Sequence, residues 1–269
     1  MPLGCKAQRF FRDEAIHVVF RVSEKPLQRS RGDFLRRHQD WSIMVSAVIV
    51  AAGKGIRMND TVRKQYLPLA GRPVLAHCLT SFEECNLINK IILVVPEDDF
   101  DFCKKEILPV GSEKTRLIPG GEKRQDSVYN GLLAAEENKS IVVIHDGVRP
   151  FIHIEMLELC IKGAKEVGAC ILGIPVQDTV KQVESSGHII KTLERDTLWL
   201  AQTPQAFQYE IIRKAHENAR LRGHTGTDDA FLVEQMGTPV KIIKGNKNNI
   251  KITTREDLKI AEAILQAGS

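Results

Sequence analysis

Ala47-Val48-Ile49-Val50-Ala51-Ala52-Gly53-Lys54-Gly55-Ile56-Arg57-Met58, continued by Lys64-Gln65-Tyr66, is the stretch from which the rest of the chain is read. Its first half is a β-branched run without polar alternation, as in a parallel strand buried on both faces. The run ends in small residues and glycines, so the strand passes into a turn whose backbone can lie close to a bound group. In an open α/β sheet that turn falls at the carboxyl edge, where ligands bind. Lys54, Arg57 and Lys64 follow, and glycines with cations at such an edge read as a polyphosphate cradle. Two familiar phosphate loops do not fit. The P-loop needs a later Gly-Lys-Ser/Thr, and the dinucleotide fingerprint needs a glycine where Met58 stands.

Outward from this stretch, strands and helices alternate. Gly71-Arg72-Pro73 opens a helix with the proline in its first turn, and Leu75, Cys78, Leu79 and Phe82 share one face. Lys90 to Pro96 is a second buried strand, Glu97-Asp98-Asp99 an acidic helix start, and Thr115 to Ile118 a third strand ending at Gly120-Gly121. The pattern predicts an α/β fold with a doubly wound, mostly parallel sheet. Ser140 to Ile144 is an all-apolar central strand ending in His145-Asp146-Gly147-Val148-Arg149-Pro150. An Asp there suits a divalent metal or a ribose hydroxyl, and magnesium takes few protein ligands beside phosphates and water. His145 reads as a packed, hydrogen-bonded imidazole rather than a base. Arg149 reads as a phosphate contact, with a structural ion pair as the alternative. The backbone edge at Gly121-Glu122, with the Ser127 hydroxyl, can pair with a nucleobase; a glycine stop followed by a helix cap is the alternative.

Asp178 to Val183 and His188 to Leu193, joined by Ser185-Ser186-Gly187, form a hairpin pattern too polar for the sheet centre. Gln208 to Arg222 is an amphipathic helix stopped by Gly223, Asp228 to Met236 a short helix, and Val240 to Ile243 an outer strand. Asn249 to Thr253 returns Lys251 toward the site, and Thr254 with Asp257 caps the last helix.

The 269 residues carry 38 Lys and Arg against 34 Asp and Glu. The first 43 hold nine basic and five acidic side chains, leaving 29 of each in residues 44–269. That balance argues against a nucleic-acid-binding body. No apolar run reaches the roughly 18 residues of a membrane span. The six cysteines, at 5, 78, 85, 103, 160 and 170, show neither Cys-x-x-Cys nor zinc spacing and read as free thiols of a cytoplasmic protein. Residues 1–43 lack a coherent period and hold too many acids for a transit peptide. With Met44 just before the first strand, they are expected to be a disordered or artefactual extension of a domain spanning 44–269.

Four motifs recur in order: Ala51-Ala52-Gly53-x-Gly55-x-Arg57-Met58, Lys64-Gln65-Tyr66, Gly121-Glu122-x-Arg124-x-Asp126-Ser127 and His145-Asp146-x-x-Arg149-Pro150. Together they resemble the 2-C-methyl-D-erythritol 4-phosphate cytidylyltransferases, a family of sugar nucleotidyltransferases. Val176-Gln177-Asp178-Thr179, Arg195 to Trp199, Gln202-Thr203-Pro204-Gln205, Thr227-Asp228-Asp229 and Asn249 to Thr253 extend the likeness over 44–269. Gly147-Val148 stand where the family commonly has two alanines, and Glu122 where the acid varies in length; the family uses backbone atoms at these points.

The resemblance implies a Rossmann-like nucleotidyltransferase fold whose protruding hairpin, about residues 176–198, is an arm around the partner subunit of a homodimer. It implies transfer of CMP from CTP to a polyol phosphate, 2-C-methyl-D-erythritol 4-phosphate, with release of pyrophosphate. Mg²⁺ would be the cofactor and Asp146 its ligand. Arg57 and Lys64 would stabilise the transition state, and Arg195 and Lys251 would orient the attacking phosphate. Ala51, Ala52, Gly53, Gly55, Gly121, Glu122, Ser127, Asp146, Gly147, Arg149 and Thr179 would bind the ligands. A phosphate monoester is already an anionic nucleophile, in keeping with a chain that shows no Ser-His or Cys-His pair. Ribitol 5-phosphate cytidylyltransferases share most of these loops. From another class, a nucleotide-binding regulatory module is the alternative.

Overall fold

The computed structural model describes residues 43–53, 62–109, 112–135 and 140–268. The chain divides into two units, Met1–Trp41 and Ser42–Ser269. The expectation for the leader, and the loop residues Lys54, Gly55, Arg57 and Met58, lie outside the described residues.

In chain order the elements are β1 (Val45–Val50), the ribbon β2 (Pro68–Leu69) and β3 (Arg72–Pro73), α1 (Val74–Glu84), β4 (Lys90–Val95), the single turn α2 (Phe100–Phe102), β5 (Thr115–Pro119), α3 (Arg124–Ala134), β6 (Ile141–Asp146), α4 (Ile154–Val167), β7 (Ala169–Pro175), the hairpin β8 (Lys181–Val183) and β9 (Ile189–Thr192), β10 (Trp199–Gln208), α5 (Tyr209–Arg222), α6 (Asp229–Glu234), β11 (Lys241–Lys244) and α7 (Arg255–Ala267). Seven strands make one sheet in the order β11-β7-β10-β6-β1-β4-β5. Every pairing in it is parallel except the two made by β10.

A strand turns successive side chains to opposite faces, and here both faces are covered. Ala47, Ile49, Ile91, Leu93 and Val143 pack with Leu75, Phe82, Leu157 and Cys160 of α1 and α4. Val48, Ile92, Val94, Val142 and Ile144 pack with Val128, Leu132, Ile212 and Ala215 of α3 and α5. That is why these strands read as unbroken apolar runs. Winding runs outward from β1 through β4 to β5 on one side and resumes at β6 on the other, so the switch point lies between β1 and β6. Val50 and Asp146 are register partners there, and the carboxyl ends of the two strands open a crevice.

Three features depart from the expectation. The helix after Gly71 begins at Val74, with Pro73 extended at the N-cap (φ −57°, ψ 142°) and paired within the small ribbon rather than in the first turn. α4 and β7, which the sequence pattern does not announce, complete the winding. β10, likewise unannounced, lies inside the sheet between β6 and β7 although it contains Pro204. Its pairing with β7 breaks register between Ala201 and Gln205, and a strand tolerates a proline at such a break. The hairpin, the stop at Gly223 (φ 66°) and the Thr254–Asp257 capping box stand as expected. Among the described residues no helix is long and apolar enough to cross a membrane.

α3 approaches β1 through Gly131, where a Cβ would overlap the Val48 side chain and crowd Val94. Neither valine can yield, because both are fully buried on adjacent parallel strands, on the face covered by α3. Gly131→Val should therefore destabilise the fold by about 1–3 kcal/mol through overpacking, measured by urea unfolding. An unchanged midpoint would disprove the close contact.

Candidate active site

A cavity of ≈ 350 Å³ fills the crevice, a volume suited to a small-molecule ligand. Val50 to Gly53 and Lys64-Gln65 form one wall; Gly121 to Arg124, Ser127, Asp146, Val148, Lys251 and Thr253 form the rest. A second cavity of ≈ 230 Å³ shares Arg124, Asp146 and Lys251 and continues to Arg149, Gln202, Thr203, Thr227 and Asp228.

The wall is built by short-range contacts. Gln65 is buried and its Nε2 donates to the carbonyls of Ala51 (2.7 Å) and Gly53 (3.3 Å), so the turn carrying Lys64 lies against the end of β1. Gly120 packs so closely on Ala52 that no side chain fits between them. Ser127 Oγ accepts from the Gly121 N–H and donates to Lys123 O, each at 3.1 Å. Its hydroxyl therefore shapes the loop that ends β5, and Asp126 Oδ2 accepts from Lys123 N–H at the start of α3.

Asp146 is the electrostatic centre. Arg124 Nε donates to Oδ1 at 2.9 Å, and Lys251 Nζ holds Oδ2 at 2.7 Å. Burial would push this carboxyl up, yet the charges of Arg124 and then Lys251 outweigh burial and hold it well below the usual carboxylate range. Arg124 also reaches Asp229 through Nη1 at 2.9 Å, and His216 Nε2 meets the other Asp229 oxygen at 3.0 Å.

Of the residues nominated from the sequence, Ala51, Ala52, Gly53, Lys64, Gly121, Glu122, Ser127, Asp146 and Lys251 line the first cavity. Gly147 does not. Its N–H donates to Val50 O at 2.9 Å, and Leu75 and Ala51 leave no room for a side chain there, so it closes strand against strand. Arg149, read as a phosphate contact, donates instead through Nη1 to Asn249 O at 2.7 Å and faces the second cavity. Thr179 and Arg195 are exposed on the hairpin segment and line neither cavity; Arg195 Nη1 donates to Gln177 O at 3.1 Å. Asp146, nominated as a metal ligand, stands here between two cations. Oδ1 meets Arg124 and Oδ2 meets Lys251, and a single carboxylate beside the substrate's phosphates is the kind of protein ligand magnesium takes.

The roles of Arg124, within the Gly121–Ser127 motif, and of Asp229 do not follow from the sequence pattern alone. A signal existed for the first. A cation in the opening turn of a helix opposes the helix dipole, so Arg124 needed anionic partners.

An anion held at the switch point of a doubly wound sheet by a glycine turn and converging cations is what nucleotidyltransferases require. The family model "2-C-methyl-D-erythritol 4-phosphate cytidylyltransferase" matches residues 45–267, and the chain belongs to that family. The protein of that name from Pelotomaculum thermopropionicum is 47% identical over 225 residues, covering 83% of this chain and 94% of its own length. That from Alkaliphilus oremlandii is 49% identical over 223 residues, with 82% and 94% covered. The crystal structure of 4-diphosphocytidyl-2C-methyl-D-erythritol synthase from Anaerococcus prevotii superposes with a TM-score of 0.75 at 36% identity, covering 84% of this chain and 97% of that one.

His145 lies directly beneath Asp146 and is fully buried. Its Nε2 is 3.1 Å from Arg149 O, an atom that only accepts, so Nε2 carries the hydrogen and Nδ1 accepts from Thr203 Oγ1 at 3.0 Å. Thr203 Oγ1 in turn accepts the Asp146 N–H at 3.1 Å. Burial pushes the imidazole down from 6.5 to about 4, so it stays neutral and positions the strand end. Between those pH values the unfolded chain binds a proton that the native state refuses. The contribution is complete above about pH 6.5 and is lost as pH falls toward about 4, amounting to about 3 kcal/mol. Urea unfolding of His145→Gln should show a correspondingly shallower loss of stability over that range; an identical pH slope would disprove the assignment.

Proposed function

We infer that this nucleotidyltransferase moves CMP from CTP to 2-C-methyl-D-erythritol 4-phosphate, giving 4-diphosphocytidyl-2-C-methyl-D-erythritol and pyrophosphate in the non-mevalonate isoprenoid route. Family membership supports the reaction, and the observation that carries it on this chain is the crevice at the switch point, with Lys64 and Lys251 on opposite walls. CTP would occupy the larger cavity, its base against the Gly121–Ser127 loop and its phosphates against the backbone of Ala52 and Gly53. The polyol phosphate would occupy the smaller one, beside Thr227 and Asp228. Lys251 belongs to both, which suits a group that orients the attacking phosphate on the α-phosphorus. The nucleophile is already an anion, so positioned cations lower the barrier by offsetting its repulsion from the triphosphate. Arg57 and Lys64 would meet the charge that grows on the transferring group.

Magnesium is proposed as the counter-ion of the nucleotide, not as an ion in a protein cage. A cytoplasmic setting agrees with Cys78, Cys85, Cys103, Cys160 and Cys170 all being free. With MgCl₂, CTP and methylerythritol 4-phosphate the protein should release pyrophosphate, and ATP or GTP should be far poorer. Equal turnover with ATP, or a preference for ribitol 5-phosphate, would overturn the reading.

The hairpin is read as an arm on a second copy of the chain. Val183, Ile189 and Ile190 are 53%, 62% and 57% exposed on a two-stranded ribbon that makes its own small sheet. Such ribbons are marginal alone, and exposed apolar clusters mark interfaces. Arg195, at the root of the arm, would then serve the partner's crevice. Lys64→Ala and Arg195→Ala should each be nearly inactive, since losing one preorganised contact costs roughly 3–4 kcal/mol. Refolded together they form about half mixed dimers, each with one intact site, so activity should return to about a quarter of wild type. No recovery despite confirmed subunit exchange would place Arg195 in its own subunit's site.

A further inference from the structure

We propose that Asp99, through Arg63 and Tyr66, is a positioning residue that sets Lys64 for the transfer reaction. The proposal rests on the reading of Lys64 as a contact to the transferring group. Lys64 opens a three-residue 3₁₀ turn, Lys64–Tyr66, too short to be fixed by its own hydrogen bonds. The residues beside it supply the anchors. On the inner side, Gln65 is tied to Ala51 and Gly53 as described above. On the outer side, Tyr66 Oη donates to Asp99 Oδ2 at 2.9 Å, and Arg63 Nε reaches the same oxygen at 3.1 Å.

Asp99 is itself held to the sheet. It closes the 3₁₀ turn Glu97–Asp99 just after β4, and its N–H donates to Pro96 O at 3.0 Å. The Tyr66 ring packs on Phe102 with centroids 4.8 Å apart, and its hydroxyl lies 3.6 Å from Cys103 Sγ. Burial, reinforced by Cys103 and Asp99, pushes the Tyr66 phenol up, so it remains a donor at any working pH. The Arg63 and Asp99 side chains are 32% and 20% exposed, better shielded than an ordinary surface pair. Asp99 lines neither cavity of the site. The two side chains it holds, Arg63 and Tyr66, stand directly before and two residues after Lys64.

Misplacing a reacting contact by about 1 Å can cost about a hundredfold in rate. Asp99→Ala should lower kcat about ten- to a hundredfold with a much smaller change in KM for CTP, and Tyr66→Phe should lower it in the same sense by less. In a Lys64→Ala background Asp99→Ala should have no further effect on kcat. A purely structural role predicts a lower melting temperature with kcat retained, or the same fold-loss in both backgrounds; either result overturns the proposal. Tyr66→Phe, which removes one oxygen, decides the matter alone if Asp99→Ala does not fold. Undiminished kcat in Lys64→Ala would overturn the reading of Lys64 and this proposal with it, and is recognised from that single variant.

Discussion

A carboxylate that must stay charged in a buried place organises this site. Asp146 has only 9% of its side chain exposed, and alone it would take up a proton rather than remain ionised there. Arg124 and Lys251 prevent that, and in doing so they join three separate parts of the chain: the end of β6, the first turn of α3 and the segment before α7. Removing either cation would leave this shielded carboxylate less well compensated, so the join matters even though such pairs add little to net stability. Arg124 sits against the dipole of its own helix, and a second carboxylate, Asp229, offsets that disadvantage. Asp229 is in turn bonded to His216 of α5, so the chain of contacts runs from the crevice into the helix layer formed by α3 and α5.

The sheet supplies the rigidity that these charges need. β1 and β6 are buried on both faces and paired in parallel from Val45–Ile141 to Val50–Asp146. A shift of one residue would move every side chain to the opposite face, so the register is strongly specified. The distance from the glycine turn to Asp146 is thereby set by backbone pairing rather than by loop packing. The hairpin contrasts with this: its strands are wholly exposed and bond only to each other, so its place must be set by something beyond its own sheet.

What could be read in the sequence follows the same division. β1, β4 and β6 announced themselves because complete burial leaves no polar position to break the run. The hairpin showed in Ser185-Ser186-Gly187, and the start of α7 in the Thr254–Asp257 pair, because turns and caps are local chemistry. β10 did not, since Gln202, Thr203 and Gln205 look like loop residues until their partners are known. Those partners are distant in the chain: Gln202 bonds to Asn246 and Asn249, and Gln205 to Asp228 and the Ala230 N–H. Asp146 was legible as a site residue, but its ion pairs with Arg124 and Lys251 were not. A carboxylate at a strand end suggests a metal; only folding shows that Arg124 and Lys251 already meet both of its oxygens.

Pairing with Asp146 also bears on how Arg124 and Lys251 can act. Four cationic side chains, Lys64, Lys123, Arg124 and Lys251, line the larger cavity against two carboxylates, Glu122 and Asp146. Unpaired, flexible cations would have to be ordered when the triphosphate arrives, and that ordering opposes binding. Here Arg124 and Lys251 are held in place by Asp146 before any ligand enters. Less reorganisation is therefore left for the reacting state, which is how a preorganised site favours charge transfer over mere binding. On this view Asp146 contributes by fixing where two cations stand, a role that glutamate, with its longer reach, would fill poorly because both partners approach from set positions on α3 and the segment before α7.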